Sequence, residues 1–197
     1  MKQEIVSNKS YHHFLLKFQL PIVRHYVQFS IQLFPTMKKA LGMTNRCEDG
    51  KYVIFLDYDD MTYTEVVDEA HRLIEDFHLG DFYIFSLDRP DSYHAICCTK
   101  LTVQKCQDVI NASSADQAFK QAPRFFKRNR WILRIGKKGK RDAPNFEIRI
   151  HGYKDQPEAI GHLLFLKDYY GADVNLANDN PNNEKVQFIN YETFNRV

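Results

Sequence analysis

The chain has 197 residues, a formal net charge of +2, 44% hydrophobic and 26% charged residues. This is the make-up of one globular domain, with room for a small appendage and long enough to bury a core. The near-neutral balance excludes recognition by overall charge, and no apolar run reaches the length of a membrane-spanning helix, so no membrane partner is expected.

The four cysteines, Cys47, Cys97, Cys98 and Cys106, form no CxxC pair and have no zinc-finger spacing. They read as reduced, buried thiols. No charged region followed by an apolar stretch opens the chain, so no export signal is expected and the location expected is cytoplasmic.

In chain order, residues 1–50 read as an N-terminal helical extension. Its apolar stretches run from Tyr11 to Leu20 and, after Pro21, from Ile22 to Phe34 at near-helical spacing. Residues 51–197 read as the core domain. Tyr52-Val53-Ile54-Phe55-Leu56 is a buried strand that runs into Asp57-Tyr58-Asp59-Asp60. Thr62 or Thr64 caps the helix that follows, with Glu65 placed for a capping box on Thr62. Val66, Val67, Ala70, Leu73, Ile74 and Phe77 are its apolar stripe.

Phe82 to Leu87 is a second strand. Asp88-Arg89-Pro90-Asp91 is a turn, and Ser92 to Cys98 a third strand, hairpin-paired with the second. Leu101 to Ile110 is a helix capped by Thr99 or Thr102, with a further helix around Ala115 to Gln121. Arg130 to Ile135 and Phe146 to Ile150 are strands that would pair as a long hairpin around a basic loop. A C-terminal helix covers Pro157 to Tyr169, and Val186 to Ile189 is a short edge strand. The order is α+β, a βαββαβ run with one extra hairpin strand, as in RRM-like or ferredoxin-like folds. Helices would cover one face of an antiparallel sheet and leave the other free.

The chemistry concentrates in three places. Asp57 and Asp59 are two residues apart on a strand, so they share a face. Two carboxylates that close repel unless a divalent cation offsets their charge. Ser92-x-His94 opens the third strand, which such a sheet places beside the first. A basic block from Arg124 to Arg141 holds Arg124, Lys127, Arg128, Arg130, Arg134, Lys137, Lys138, Lys140 and Arg141 with no acid among them. These nine cations outnumber the net charge of +2, so the rest of the chain is net negative. Carboxylates that can hold metal beside cations that can hold phosphate suit phosphate chemistry.

With these residues the sequence resembles the archaeo-eukaryotic primase superfamily, the primase–polymerase group, over residues 51–150. Phe55-Leu56-Asp57-Tyr58-Asp59 is similar to its first motif, and Ser92-Tyr93-His94 followed by an apolar strand to its second. The resemblance implies metal-dependent, template-directed nucleotidyl transfer on an RRM-like core. Asp57 and Asp59 would hold Mg2+ or Mn2+, and Ser92 and His94 would contact the phosphates of the incoming nucleoside triphosphate. The partners it implies are a single-stranded DNA template, nucleoside triphosphates, and a helicase or other replication proteins. Chain size alone points to a plasmid, virus or mobile element. One motif departs: Arg134 stands on the strand where the family has a third acid. Glu147 or Asp142 would substitute; if neither does, one metal site is weakened, the domain binds nucleotide or DNA without efficient polymerisation, and Arg134 and Lys137 are nucleotide phosphate or template contacts. Arg124, Lys127, Arg128, Arg130, Lys138, Lys140 and Arg141 would contact nucleic acid.

Three other readings compete. The strand-terminal DxD is similar to that of haloacid-dehalogenase phosphotransferases, but Met61 stands where Thr or Val is expected and the late acidic pair is absent. An HUH-type rolling-circle initiator would nick DNA through a tyrosine such as Tyr169 or Tyr170, but needs a histidine pair where the chain has the single residues His94 and His151. A non-catalytic RRM-like module would bind single strands by stacking and phosphate contacts. It explains the basic block and the aromatics, and leaves the pairing of Asp57 and Asp59 with His94 as coincidence.

Overall fold

The computed structural model describes residues 15–22, 25–32, 38–125, 130–174, 176 and 185–193. The chain divides into two compact units, Met1–Lys38 with Phe194–Val197, and Lys39–Thr193.

In the first unit, β1 (Leu15–Ile22) and β2 (His25–Gln32) form an antiparallel ladder from Leu15↔Gln32 to Ile22↔His25. This corrects the expected helical extension. Leu16, Phe18, Leu20 and Ile22 alternate with Lys17, Gln19 and Pro21, and Val27, Phe29 and Ile31 alternate with Gln28, Ser30 and Gln32. That period of two, in segments rich in aromatic and β-branched residues, outweighs the looser helical spacing.

The second unit begins within β3 (Lys38–Thr44), another strand inside the stretch expected to be helical. Then come β4 (Tyr52–Asp59), α1 (Tyr63–Phe77), β5 (Phe82–Ser86), β6 (Ser92–Leu101), α2 (Val103–Ala112) and α3 (Gln117–Phe125). The chain continues through β7 (Ile132–Arg134), β8 (Asn145–Ile150), α4 (Ile160–Tyr170) and β9 (Phe188–Thr193). The result is an α+β unit with antiparallel sheets. Its first two helices are capped by threonines that the sequence offers, although α2 and α4 start two and three residues later than expected. The Thr62 side chain accepts from the Glu65 amide while the Glu65 carboxylate accepts from the Thr62 amide at 2.8 Å, and Thr102 caps α2.

The main sheet has the order β4-β6-β5-β8, and a second sheet the order β7-β3-β9. The first and third core strands are therefore neighbours, as expected, but β4 is the edge of its sheet and not its centre. The hairpin expected between β7 and β8 does not form. β7 pairs with β3 through Gly42↔Arg134 and Thr44↔Ile132, while β8 pairs with β5 on the far side of the main sheet. Sequence nearness favours a hairpin, but β3 offers β7 an antiparallel partner from a distant part of the chain. Asn45 ties the sheets together: its amide donates to the Trp131 carbonyl at 3.1 Å, and its carbonyl accepts from Val53 at 2.9 Å.

Helices flank both faces of the main sheet, a second correction. On one face of β4, Tyr58 donates to Glu69 of α1 at 2.9 Å. On the other, Phe55 meets His162 of α4 with ring centroids 6.1 Å apart, and its face-mate Phe85 on β5 meets Tyr170 at 4.8 Å. Phe55 and Phe85 are both fully buried aromatics, and covering them is worth about 2–3 kcal/mol each, enough to draw the C-terminal helix onto a face that a minimal βαββαβ unit leaves open. Among the described residues no helix is long and apolar enough to cross a membrane. Cys47, Cys97, Cys98 and Cys106 are buried and form no disulfide.

Candidate functional site

The uncovered end of the face that carries Phe55 holds the candidate site. In the β4–β6 ladder Asp57 stands opposite His94, and Asp59 opposite Ser92. Directly opposed residues point to one face, so all four side chains converge there. Asp57 and Asp59 are 31% and 15% exposed, so the carboxylates look toward solvent at the rim of the core. The strand end is held in place from outside the sheet, where the Asp116 amide donates to the Asp57 carbonyl at 2.8 Å.

His94 is buried, with Nε2 3.5 Å from Asp57 Oδ1. Burial, with the positive fields of Arg134 and Arg89 added, lowers its pKa to about 3. The ring is therefore neutral at physiological pH, and its contact with Asp57 is a polar contact rather than an ion pair. Ser92 is buried too, and its hydroxyl donates to the Pro90 carbonyl at 3.2 Å.

Two arginines add positive charge. The Arg89 guanidinium is in direct contact with Asp59. Its sequence signal was a turn and nothing more, so its role was not legible there. Arg134, on β7, lies close enough to His94 to depress its basicity, and its Nη1 donates to the Gly136 and Asp142 carbonyls at 2.9 and 2.6 Å. Arg134 thus braces the loop after β7 while facing the site.

The acids named as substitutes for the third ligand stand elsewhere. Ser86 opposes Tyr93, which opposes Tyr58, and these occupy the α1 face of the sheet. Glu147 accepts from the Ser86 hydroxyl, so it lies across the sheet from Asp57 and His94. Asp142 pairs with Lys137 at 2.8 Å, both side chains at least 70% exposed. Among the described residues no three histidine, cysteine or acidic side chains cluster as a metal site. Two carboxylates still suit a hard ion such as Mg2+, which takes one or two protein carboxylates and fills its shell with water and substrate phosphates.

The basic block is spread over several elements. Arg124 lies in the last turn of α3, and Arg130 precedes β7 with Nη1 3.4 Å from Gln187 Oε1. Lys127 and Arg128 lie outside the described residues. Lys137, Lys138, Lys140 and Arg141 form a tight turn in which Lys138 and Arg141 exchange backbone hydrogen bonds at 3.0 and 3.1 Å, with Gly139 at φ 63°. That loop meets the turn before β6, where Asp88 accepts from the Asp142 amide at 3.3 Å. Trp131 is buried in the core. Tyr170 is engaged with the Ile135 carbonyl at 3.1 Å, whereas Tyr169 is half exposed and stacked on Phe165.

No protein-family model matches the chain, and no curated protein or solved structure matches it either.

Proposed function

We propose that the Asp57–Asp59–His94 face is the active site of a metal-dependent nucleotidyl transferase, on an RRM-like core of the archaeo-eukaryotic primase type. The observation that carries the proposal is the β4–β6 register, which sets Asp57 against His94 and Asp59 against Ser92. A DxD that was only an acidic turn would have no reason to face a buried histidine.

In this reading Asp57 and Asp59 hold Mg2+ or Mn2+ together with the phosphates of a nucleoside triphosphate. The ion, when bound, supplies Lewis-acid stabilisation of the transferring phosphoryl group and activation of the attacking hydroxyl. The neutral His94 ring can donate one hydrogen bond to a phosphate oxygen without adding charge. Arg134 supplies a positive charge beside it. The 137–141 turn and Arg124 and Arg130 offer phosphate contacts to a single-stranded template. With Glu147 on the opposite face, the ion relies on two protein carboxylates, and its occupancy depends on the nucleotide.

The test is incorporation of labelled nucleotides on a single-stranded template with Mn2+ or Mg2+. Asp57→Ala combined with Asp59→Ala abolishes incorporation and leaves DNA binding near the wild-type level. Full activity in that variant, or no metal-dependent nucleotide binding by the wild type, overturns the proposal. Template binding without either activity would instead support the non-catalytic single-strand module.

A further inference from the structure

Arg89 occupies an oxygen of one of the two carboxylates assigned to the proposed metal. Its guanidinium contacts Asp59 Oδ1, with the arginine 31% and the aspartate 15% exposed. The backbone beneath it is pinned. The Leu87 amide donates to the Ser92 carbonyl at 3.0 Å, the Arg89 amide to the Leu87 carbonyl at 2.7 Å, and the Met61 amide to the Asp91 carbonyl at 3.0 Å. Asp91 turns the chain in the left-handed region at φ 48°. The backbone of the turn is thus fixed, while the guanidinium end is part-exposed to solvent.

A guanidinium and a divalent cation compete for one carboxylate, because their charges repel at contact distance. A bare cation must break a charge-assisted hydrogen bond to enter. A cation that arrives on a triphosphate brings anionic oxygens of its own, and these match the forked donors of arginine. Arg89 can then leave Asp59 for a phosphate with no net loss of charge pairing.

We propose that Arg89 is an internal counter-ion of the site: it holds Asp59 until a metal–triphosphate displaces it, so that metal binding is conditional on nucleotide. The proposal rests on the nucleotidyl-transfer reading. By reciprocity, the nucleotide's gain from metal equals the metal's gain from nucleotide.

The experiment is calorimetric titration of Mn2+ into the full chain, alone and with a non-hydrolysable deoxynucleoside triphosphate, for wild type, Arg89→Ala and Arg89→Gln. Matching thermal melts establish that each variant is folded, and Arg89→Gln, which keeps much of the stem, stands in if the alanine variant is not. Wild type binds Mn2+ alone weakly and much more tightly with triphosphate. Loss of the guanidinium tightens binding of Mn2+ alone by about tenfold or more, and shrinks the advantage from triphosphate. If the folded variants bind Mn2+ alone no more tightly than wild type, while wild type still binds Mn2+ with triphosphate, the counter-ion role is wrong and the functional reading stands. If no protein binds Mn2+ with or without triphosphate, both fail.

Discussion

Asp57 and His94 are direct cross-strand partners, with His94 Nε2 3.5 Å from Asp57 Oδ1. One residue is half-exposed at the rim and the other is buried. A carboxylate that touches both solvent and a fixed neutral imidazole is placed to receive a ligand from outside while its own orientation is set from inside.

Replacing Asp57 and Asp59 by asparagine should therefore separate chemistry from folding. Both side chains sit at the surface end of β4; removing both charges ends their mutual repulsion, which offsets the loss of the part-exposed Arg89–Asp59 pair. Nucleotide incorporation should disappear while the thermal midpoint stays within a few degrees of wild type, a shift of about 1 kcal/mol or less. Differential scanning calorimetry beside the incorporation assay checks this. A collapse of the melting transition would make the pair structural.

The 137–141 turn gives a second test. Lys137 is paired with Asp142, whose hydrogen bond raises the lysine pKa, whereas Lys140 is exposed. Lys140→Glu with Arg141→Glu should weaken single-stranded DNA binding. It should also flatten the salt dependence, by about 0.7 in the log–log slope for each phosphate that the variant no longer neutralises. Fluorescence anisotropy over a salt series reads both. An unchanged slope would make the turn a solvated loop tip.

A buried ion cluster at the start of β5 governs stability at low pH. Asp81 is 1% exposed and accepts from Arg149 Nε at 2.5 Å, the Gly152 amide at 2.9 Å and Lys154 Nζ at 2.6 Å. Burial pushes its pKa up, but these donors outweigh it and hold the carboxyl below its ordinary value of 3.8. The folded value is depressed, so the stabilisation is fully present above the unfolded value and is lost as pH falls through the folded one. Asp81→Asn should cost about 3 kcal/mol at pH 7, because it leaves the buried Arg149 with only the exposed Asp173 carboxylate, 4.0 Å away, as a counter-charge. Urea unfolding should show the gap between wild type and variant closing as pH drops below about 3.8. A gap constant down to pH about 2 would show that the carboxylate charge is not what stabilises the cluster.

Gly152 tests the same junction by size. A Cβ there would stand 2.3 Å from the Gly80 carbonyl oxygen and 2.5 Å from that of Leu79, both backbone atoms that no rotamer change can move. Gly152→Ala should destabilise by about 1–3 kcal/mol, the cost of forcing packed segments apart. Its urea midpoint should fall with an unchanged slope. A variant as stable as wild type would mean that the 151–154 segment can shift without cost.

Local pattern was enough for the features built from neighbouring residues. A capping box needs only Thr62 and Glu65, a buried strand only its apolar run, and a shared face only the two-residue spacing of Asp57 and Asp59. These follow from backbone periodicity. Pairing between distant segments follows a different rule, because many partners satisfy a strand's hydrogen bonds and the one chosen is set by packing of the whole. So β7 joined β3 instead of β8, Glu147 fell on the α1 face beside Ser86, and α4 closed over Phe55 and Phe85. Arg89 reached Asp59 from a turn thirty residues on. The sequence by itself determined which residues carry the charge and which strand ends present it. The tertiary structure decided which of those charges meet, because contact across a sheet depends on register and face, and neither is written in the spacing of one strand alone.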